Sequence, residues 1–420
     1  MATVQIYDNN HTGLSADISF TADTGGTTNL GLQLIPYTFN IDYPYGTYDL
    51  YYSQWGQTCS ITIFPPTPSF TSIWRTTTSN ETIILPTYDG GTYDFVVDWG
   101  DGNVENFTTS YVTHNYVTAG DYTVTITGII EGWDFGYVFE SRNKIIEITQ
   151  WGVLKLGNTG GYFSQCENLV LTGVTDSIIL DGTTNLGGMF QYCTSLTTIN
   201  NISNWDVSYV TYMGTMFSGC LSFNDDLGSW DTSSVTNMST MFASCQLFNS
   251  DISGWNTLNV QDTSSMFAGA TVFNQPIGYW NVSNVTSMVS MFNLTEAFDA
   301  PIGNWERTTL GDVSTVSNVV DMSYMFNNTY FNQDITNWNV SGVTNMEGMF
   351  GLSRFNQDIS GWDVSNVLYM DEMFLNAVYF NQDLSGWCVT NIPLLPNDFY
   401  TGANDWVGLP GTAPQWGSCP

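Results

Sequence analysis

A tryptophan recurs through the second half of this sequence at Trp205, Trp230, Trp255, Trp280, Trp305, Trp338, Trp362 and Trp387, with gaps of 25, 25, 25, 25, 33, 24 and 25 residues. A Met-Phe pair keeps the same beat, from Met189-Phe190 to Met373-Phe374. Self-similarity at such a period is the mark of a solenoid, whose units bury their apolar faces only against their neighbours. One unit of this length cannot offset its own backbone entropy, so the repeats must fold together.

Composition narrows what such a stack can do. Six basic residues face 39 acidic ones, a formal charge of −33. Binding to a phosphate backbone or an anionic membrane runs on clustered Lys and Arg, so nucleic acid and lipid are excluded as expected partners. Aromatic residues make up 15 % of the chain, which is a folded rather than a disordered composition. No run of about 18 apolar residues exists to span a bilayer. MATVQIYDNN has neither a basic n-region nor an apolar core, so a conventional signal peptide is not expected there. The wealth of Asn, Thr, Ser, Gly and Tyr nevertheless suits an extracellular location, reached by a trimmed export signal or by cell lysis.

Residues 1–64 alternate apolar and polar residues in short runs such as VQIY, ADISF and CSITI, as a small antiparallel β domain does. Tyr37, Tyr43, Tyr45, Tyr48, Tyr51, Tyr52 and Trp55 supply cross-strand pairs for it or an aromatic recognition surface. The Pro-rich stretch 65–69 then reads as a linker. Residues 70–130 contain DFVVDWGDGNVENF followed by THNYVTAGDYTVTITG, with Asp101-Gly102 as the turn between two strands. This pairing resembles the PKD-type, immunoglobulin-like β-sandwich. The resemblance implies a core Trp99, with Asp98, Asp101 and His114 holding loops. Residues 131–200 carry degenerate repeats, the expected N-terminal cap; regular coils follow over 201–390, and 391–420 forms a C-terminal cap.

Aligned on Trp, a repeat reads F-N-Q-D-I-x-x-W-D-V-S-N-V-T-x-M-x-x-M-F-x-x-C/A. Its first Phe and Ile, four apart, are expected on one face of a short strand. The Asn recurs at 224, 249, 274, 332, 356 and 381, with Asp299 once, and is expected as a buried column bonding to backbone in its own and adjacent coils. Cys166, Cys193, Cys220 and Cys245 share a slot that later coils fill with Ala, Thr or Ser, so it is a packing slot. Cys388 and Cys419 stand outside that pattern and are a candidate disulfide pinning the tail, which leaves Cys59 unpaired. The repeats resemble those of BspA-like surface proteins, relatives of the leucine-rich repeat. That resemblance implies a surface-exposed, non-enzymatic protein acting in adhesion. The first domain resembles, more distantly, β modules of phage and marine viral structural proteins.

Catalytic machinery is scarce. His11 and His114, the two histidines, fall in different modules without a nucleophile nearby, and no phosphate-binding loop carries its lysine. Carboxylates abound, but they recur coil after coil, whereas catalysis needs a local exception. Asp226, Asp251, Asp334, Asp358 and Asp383 form one acidic column. Asp206, Asp231, Glu306 and Asp363 form another. Turn-capping is the plain role for such Asp residues; calcium is the candidate cofactor at the first column, and none is required. The 33-residue gap brings in the insertion 306–313, and per-coil insertions often line binding faces, so Glu306, Arg307, Thr308 and Asp312 are candidate partner-binding residues.

The expected protein is thus mainly β: a small β domain, a PKD-like sandwich and a leucine-rich-repeat-like solenoid with caps. Its expected role is a phage virion decoration or fibre protein, attached to other virion proteins through residues 1–64, with the solenoid meeting a host cell-surface protein or glycan. A homo-oligomer is compatible with that role. A bacterial surface adhesin is the alternative and a polysaccharide-degrading tailspike the third reading.

Overall fold

The computed structural model describes the strands within residues 2–63 as backbone, and residues 68–309, 312–407 and 411–420; side chains at 308–313 and in the first domain lie outside the described set. It is mainly β, with a single four-residue α-helix, Asn404–Val407, among the described residues. Chain contacts divide it into two units, Met1–Pro68 and Ser69–Pro420.

The first unit holds six strands, β1 (Ala2–Ile6), β2 (Ser15–Thr21), β3 (Thr27–Leu34), β4 (Tyr37–Ile41), β5 (Gly46–Tyr52) and β6 (Gln57–Ile63). They form a β1-β4 pair and a four-stranded sheet ordered β3-β2-β5-β6, all antiparallel. The tyrosines and Trp55 named above, Cys59 and His11 lie outside the described side chains.

The second unit begins with β7 (Phe70–Thr76), β8 (Glu81–Ile84), β9 (Thr92–Asp98), β10 (Val104–Phe107), β11 (Thr113–Tyr116) and β12 (Gly120–Glu131). One sheet runs β10-β9-β12-β7 and a second pairs β11 with β8. Alternation drives this: β7 reads Phe70, Ser72, Trp74 inward, all fully buried, with Thr71 and Ile73 only partly covered. The larger sheet does not stop at residue 130. β13 (Ile145–Gln150) pairs antiparallel with β7, and β14 (Leu154–Lys155) lies parallel to the end of β12. Glu147 of β13 then bridges in parallel to Val170, and Leu171 to Ile199. The edge strand of this sheet is therefore the template for the repeats, and one core continues from Phe70 to Trp406. Covering a sheet edge in this way also removes a site of unwanted pairing.

Within the repeats the expected strand is replaced by turns and one parallel bridge per coil, running Asn185, Tyr212, Asn237, Asp262, Ser287, Asp321, Asn345, Tyr369. The reason lies in two left-handed positions per coil. One precedes the Met-Phe pair, as at Thr215, Thr240, Ser265, Ser290, Tyr324 and Glu372; the other precedes the small slot, as at Ser244, Leu294, Asn328, Leu352 and Asn376. Alternating hands makes neighbouring amides diverge. Met213, Thr215, Phe217 and Gly219 donate to Asn237, Ser239, Met241 and Ala243 of the next coil, while Met216, Ser218 and Cys220 donate three residues back within their own. Each linking peptide points its carbonyl at the preceding coil and its N–H at the following one. These peptide dipoles add along the stack as they do along a helix.

Three other sets of bonds run the opposite way. Thr236, Gln261 and Thr286 donate backbone N–H to the coil before. Each repeat tryptophan from Trp230 onward donates its indole N–H to the carbonyl of the Ile or Leu that stands three residues before the previous tryptophan, at 2.9–3.4 Å. The Asn side chains accept from the backbone N–H of the next Asn, as Asn224 does from Asn249 and Asn249 from Asn274. That Asn column is mostly exposed and not buried as expected. A side-chain amide, rather than a carbonyl, takes each of these N–H groups, which is why F-N-Q-D-I forms no β ladder.

Candidate binding face

The sequence-derived candidates fall largely to structural roles. In the first acidic column, one carboxylate oxygen of Asp226, Asp251, Asp334, Asp358 and Asp383 accepts the N–H two residues on, at 2.9–3.0 Å. The donors at Ser253 and Ser385, hydroxyl and then N–H, hold Asp251 and Asp383 below the usual carboxylate range; N–H and then hydroxyl do so at Asp334 and Asp358. Asp206, Asp231 and Asp363 make the same turn with Ser208, Ser233 and Ser365. Among the described residues, no three His, Cys, Asp or Glu side chains gather as a metal would require.

The insertion folds into a hairpin, β15 (Arg307–Thr309) and β16 (Asp312–Ser314). Glu306 leaves the acidic column's pattern: one carboxylate oxygen accepts from the Thr315 hydroxyl and from the N–H of Val316 and Asn339. Arg307 donates to the carbonyls of Tyr279, Trp280 and Asn304. Both anchor the hairpin to neighbouring coils. The side chains of Thr308 and Asp312 lie outside the described residues.

Between β9 and β11, Trp99 is fully buried, His114 stacks on it at 4.6 Å, and His114 Nε2 meets Asp101 at 2.9 Å. Asp98 and Asp101 each accept a backbone N–H within their turn. Burial raises the thiols of Cys166, Cys193, Cys220 and Cys245, and the last three donate to the carbonyl of a Phe one coil earlier. Raised, buried thiols are unreactive. Cys388 and Cys419 are joined by a disulfide across a Cα separation of 4.1 Å.

What the columns of the sequence did not reveal is a local exception to the repeat, just before the Met-Phe pair. Two residues per coil stand just before the Met-Phe pair, most of them half-buried and Gly188, Gly214, Ser323 and Gly348 buried. They are Gly187-Gly188, Gly214-Thr215, Ser239-Thr240, Ser264-Ser265 and Val289-Ser290, and then Ser323-Tyr324, Glu347-Gly348 and Asp371-Glu372. Acidic and aromatic residues thus replace small ones in three consecutive coils. The Tyr324 hydroxyl donates to Glu347 at 2.6 Å, and that bond, burial and the carboxylates of Glu347, Glu372 and Asp371 raise its pKa. Its ring lies where a Cβ on Gly348 would collide, so Gly348 lets it lie flat on the next coil. Asp371 also accepts the N–H of Asn397. In the same coils Val320, Leu352, Leu368 and Tyr369 are exposed by 48, 50, 50 and 56 %. Comparing each column coil by coil for a break, rather than for a repeat, is the signal that finds this face.

The repeats also match a known family model, described as Mycoplasma protein of unknown function, DUF285, over residues 133–224, 161–261, 184–305 and 309–405. These matches together span 133–305 and 309–405, well over half of the 420 residues. The chain belongs to the DUF285 family. The DUF285 matches begin at Trp133, where the sandwich sheet hands over to the stack, and their overlap follows from the repeat itself. No curated protein and no solved structure matches the chain.

Proposed function

We propose that this chain is a non-enzymatic, surface-exposed binding protein, and that its stack is a leucine-rich-repeat-like solenoid of the BspA-like kind, seeded by a PKD-like sandwich. The observation that carries this reading is the division of labour on the stack. Trp, Asn and small-residue columns bond neighbouring coils, Phe rings stack between them and the Asp columns close turns within them, while one pair of positions departs from the repeat over three coils. A scaffold with a local exception to its repeat suits binding rather than chemistry.

The favoured setting is a phage virion, as a decoration or fibre protein attached through residues 1–64, with the solenoid turned outward toward a host cell-surface protein or glycan. The disulfide supports an oxidising exterior. A bacterial cell-surface adhesin is the second reading, favoured by the family's name, which speaks of a Mycoplasma protein. Gold-labelled antibody against residues 70–420, applied to intact source cells and to particles released from them, separates the two. Label on capsid or tail is the expected result; label on the cell envelope alone transfers the proposal to the adhesin, and label on neither rejects both. Release of reducing sugar from host polysaccharide would instead select the tailspike reading.

A further inference from the structure

We infer that one edge of the stack, beside the small slot from residue 244 to residue 380, pairs with the same edge of a second copy of this chain, the two stacks running antiparallel about a two-fold axis at Tyr330. In each of six consecutive coils one large apolar side chain is about half exposed there: Leu247, Val272, Leu294, Tyr330, Leu352 and Tyr379, at 40–53 %. Four of them stand directly before a repeat Phe, and Leu294 and Leu352 directly before the slot, whose residues are buried. The Phe rings that bracket the slot stack from coil to coil, at 5.7–5.8 Å on one side and 5.9–6.4 Å on the other, so the six residues lie along one strip. A continuous apolar strip on a chain this acidic marks an interaction site.

The occupant follows from the symmetry of the strip about the Tyr330 coil. From the residue before the slot to the Phe after it, these coils carry charge at Glu296, one coil before Tyr330, and at Arg354, one coil after it. The same two coils are those in which the exposed apolar residue moves to the position before the slot, as Leu294 and Leu352. Turning a second copy end over end about Tyr330 sets Arg354 against the partner's Glu296, Leu352 against the partner's Leu294 and Tyr379 against the partner's Val272. Each of these contacts is then made twice, as in any isologous interface. Arg354 and Glu296 are both exposed, and among the described residues no salt bridge within the chain uses either. The Arg354 guanidinium lies 3.7 Å from the centre of the Tyr330 ring, which holds the cation beside the axis. A parallel pairing would set each charge against its own copy, and an unrelated partner would not call for the symmetry.

The test is sedimentation equilibrium of the full chain at about 0.15 M salt, where screening confines charge effects to about 8 Å and mutes the repulsion between two acidic chains. A concentration-dependent dimer is expected. Arg354→Glu alone and Glu296→Arg alone each set like charges across the axis, and each is expected to raise the dissociation constant at least about tenfold. The two exchanges together restore opposite charges and are expected to bring it back to within about threefold of the parent's. Diffuse repulsion would act differently, since Glu296→Arg makes the chain less acidic and would then tighten the dimer. Tyr330→Cys places two thiols at the axis, and mild oxidation is expected to link the copies through them beyond what the parent's own cysteines give. Leu247→Cys, three coils from the axis, is the control expected to stay unlinked. A chain that remains monomeric at about 0.1 mM overturns the inference, as does a tighter dimer with Glu296→Arg, a double exchange that restores nothing, or equal linking at 330 and 247. The measurement is made on the isolated chain, so its failure leaves the virion and adhesin readings to the antibody labelling.

Discussion

Trp255 shows how much one repeated residue carries. Its ring stacks between those of Trp230 and Trp280 at 6.3 Å to each, and its indole N–H reaches Leu227 in the coil before at 2.9 Å. The spacing of the tryptophans in the sequence announced a ladder of rings. It gave no hint that the ladder is also hydrogen-bonded, because the acceptor is a backbone carbonyl 28 residues away. Trp255→Phe keeps the stacking and loses the bond and part of the volume. A cost of about 2–4 kcal/mol is expected, from an unmade buried bond and a small cavity, and urea unfolding of the two proteins measures it. Cys245 and Thr295 teach a related lesson. Sequence logic read their slot as small, and it is, yet both also donate to a Phe carbonyl 28 residues back.

At the level of elements, the link between sandwich and stack is clasped by Glu81, just past the turn after β7. Burial works against its ionisation, but the N–H groups of Thr77 and Thr78 and the ammonium of Lys144, next to β13, outweigh that and lower its pKa from 4.5 to about 2. The unfolded chain therefore takes up this proton first as pH falls. The stabilisation is complete above about pH 4.5 and is lost between there and about 2. Glu81→Gln should accordingly destabilise the protein at neutral pH and differ less from the parent near pH 3, measured by urea midpoints at both. The alternating strands of the sandwich were legible because period-two burial follows directly from the pleat. The coils misled at this scale. Their apolar spacing suggested a strand, whereas left-handed residues such as Thr240 and Ser265, neither of them glycine, bend the backbone for reasons that lie in the neighbouring coil's carbonyls.

Across the whole molecule, the stack is polar and its two ends are closed differently. At the N-terminal end the sandwich sheet supplies a ready-made edge. At the other, the amides of Glu372, Phe374 and Asn376 are received by Asn397, Phe399 and Thr401, and the parallel phenylalanine rings end against Phe399 and Trp406 set edge-on. The disulfide closes a loop of 31 residues around this cap. Chain-entropy arguments assign such a loop about 3–4 kcal/mol, so reduction should lower the unfolding midpoint of the C-terminal coils by a corresponding amount, read from thermal scans with and without a dithiol reductant. The sequence by itself determined the period, the stacking of like residues and the acidic surface, because those depend on a residue and its copies one coil away. Only the tertiary structure decided that the sheet built on β7 starts the stack, and that Glu306 and Arg307 tie their hairpin to the coils on either side. Each of those depends on which groups from distant stretches come to lie side by side, and no spacing along the chain records it.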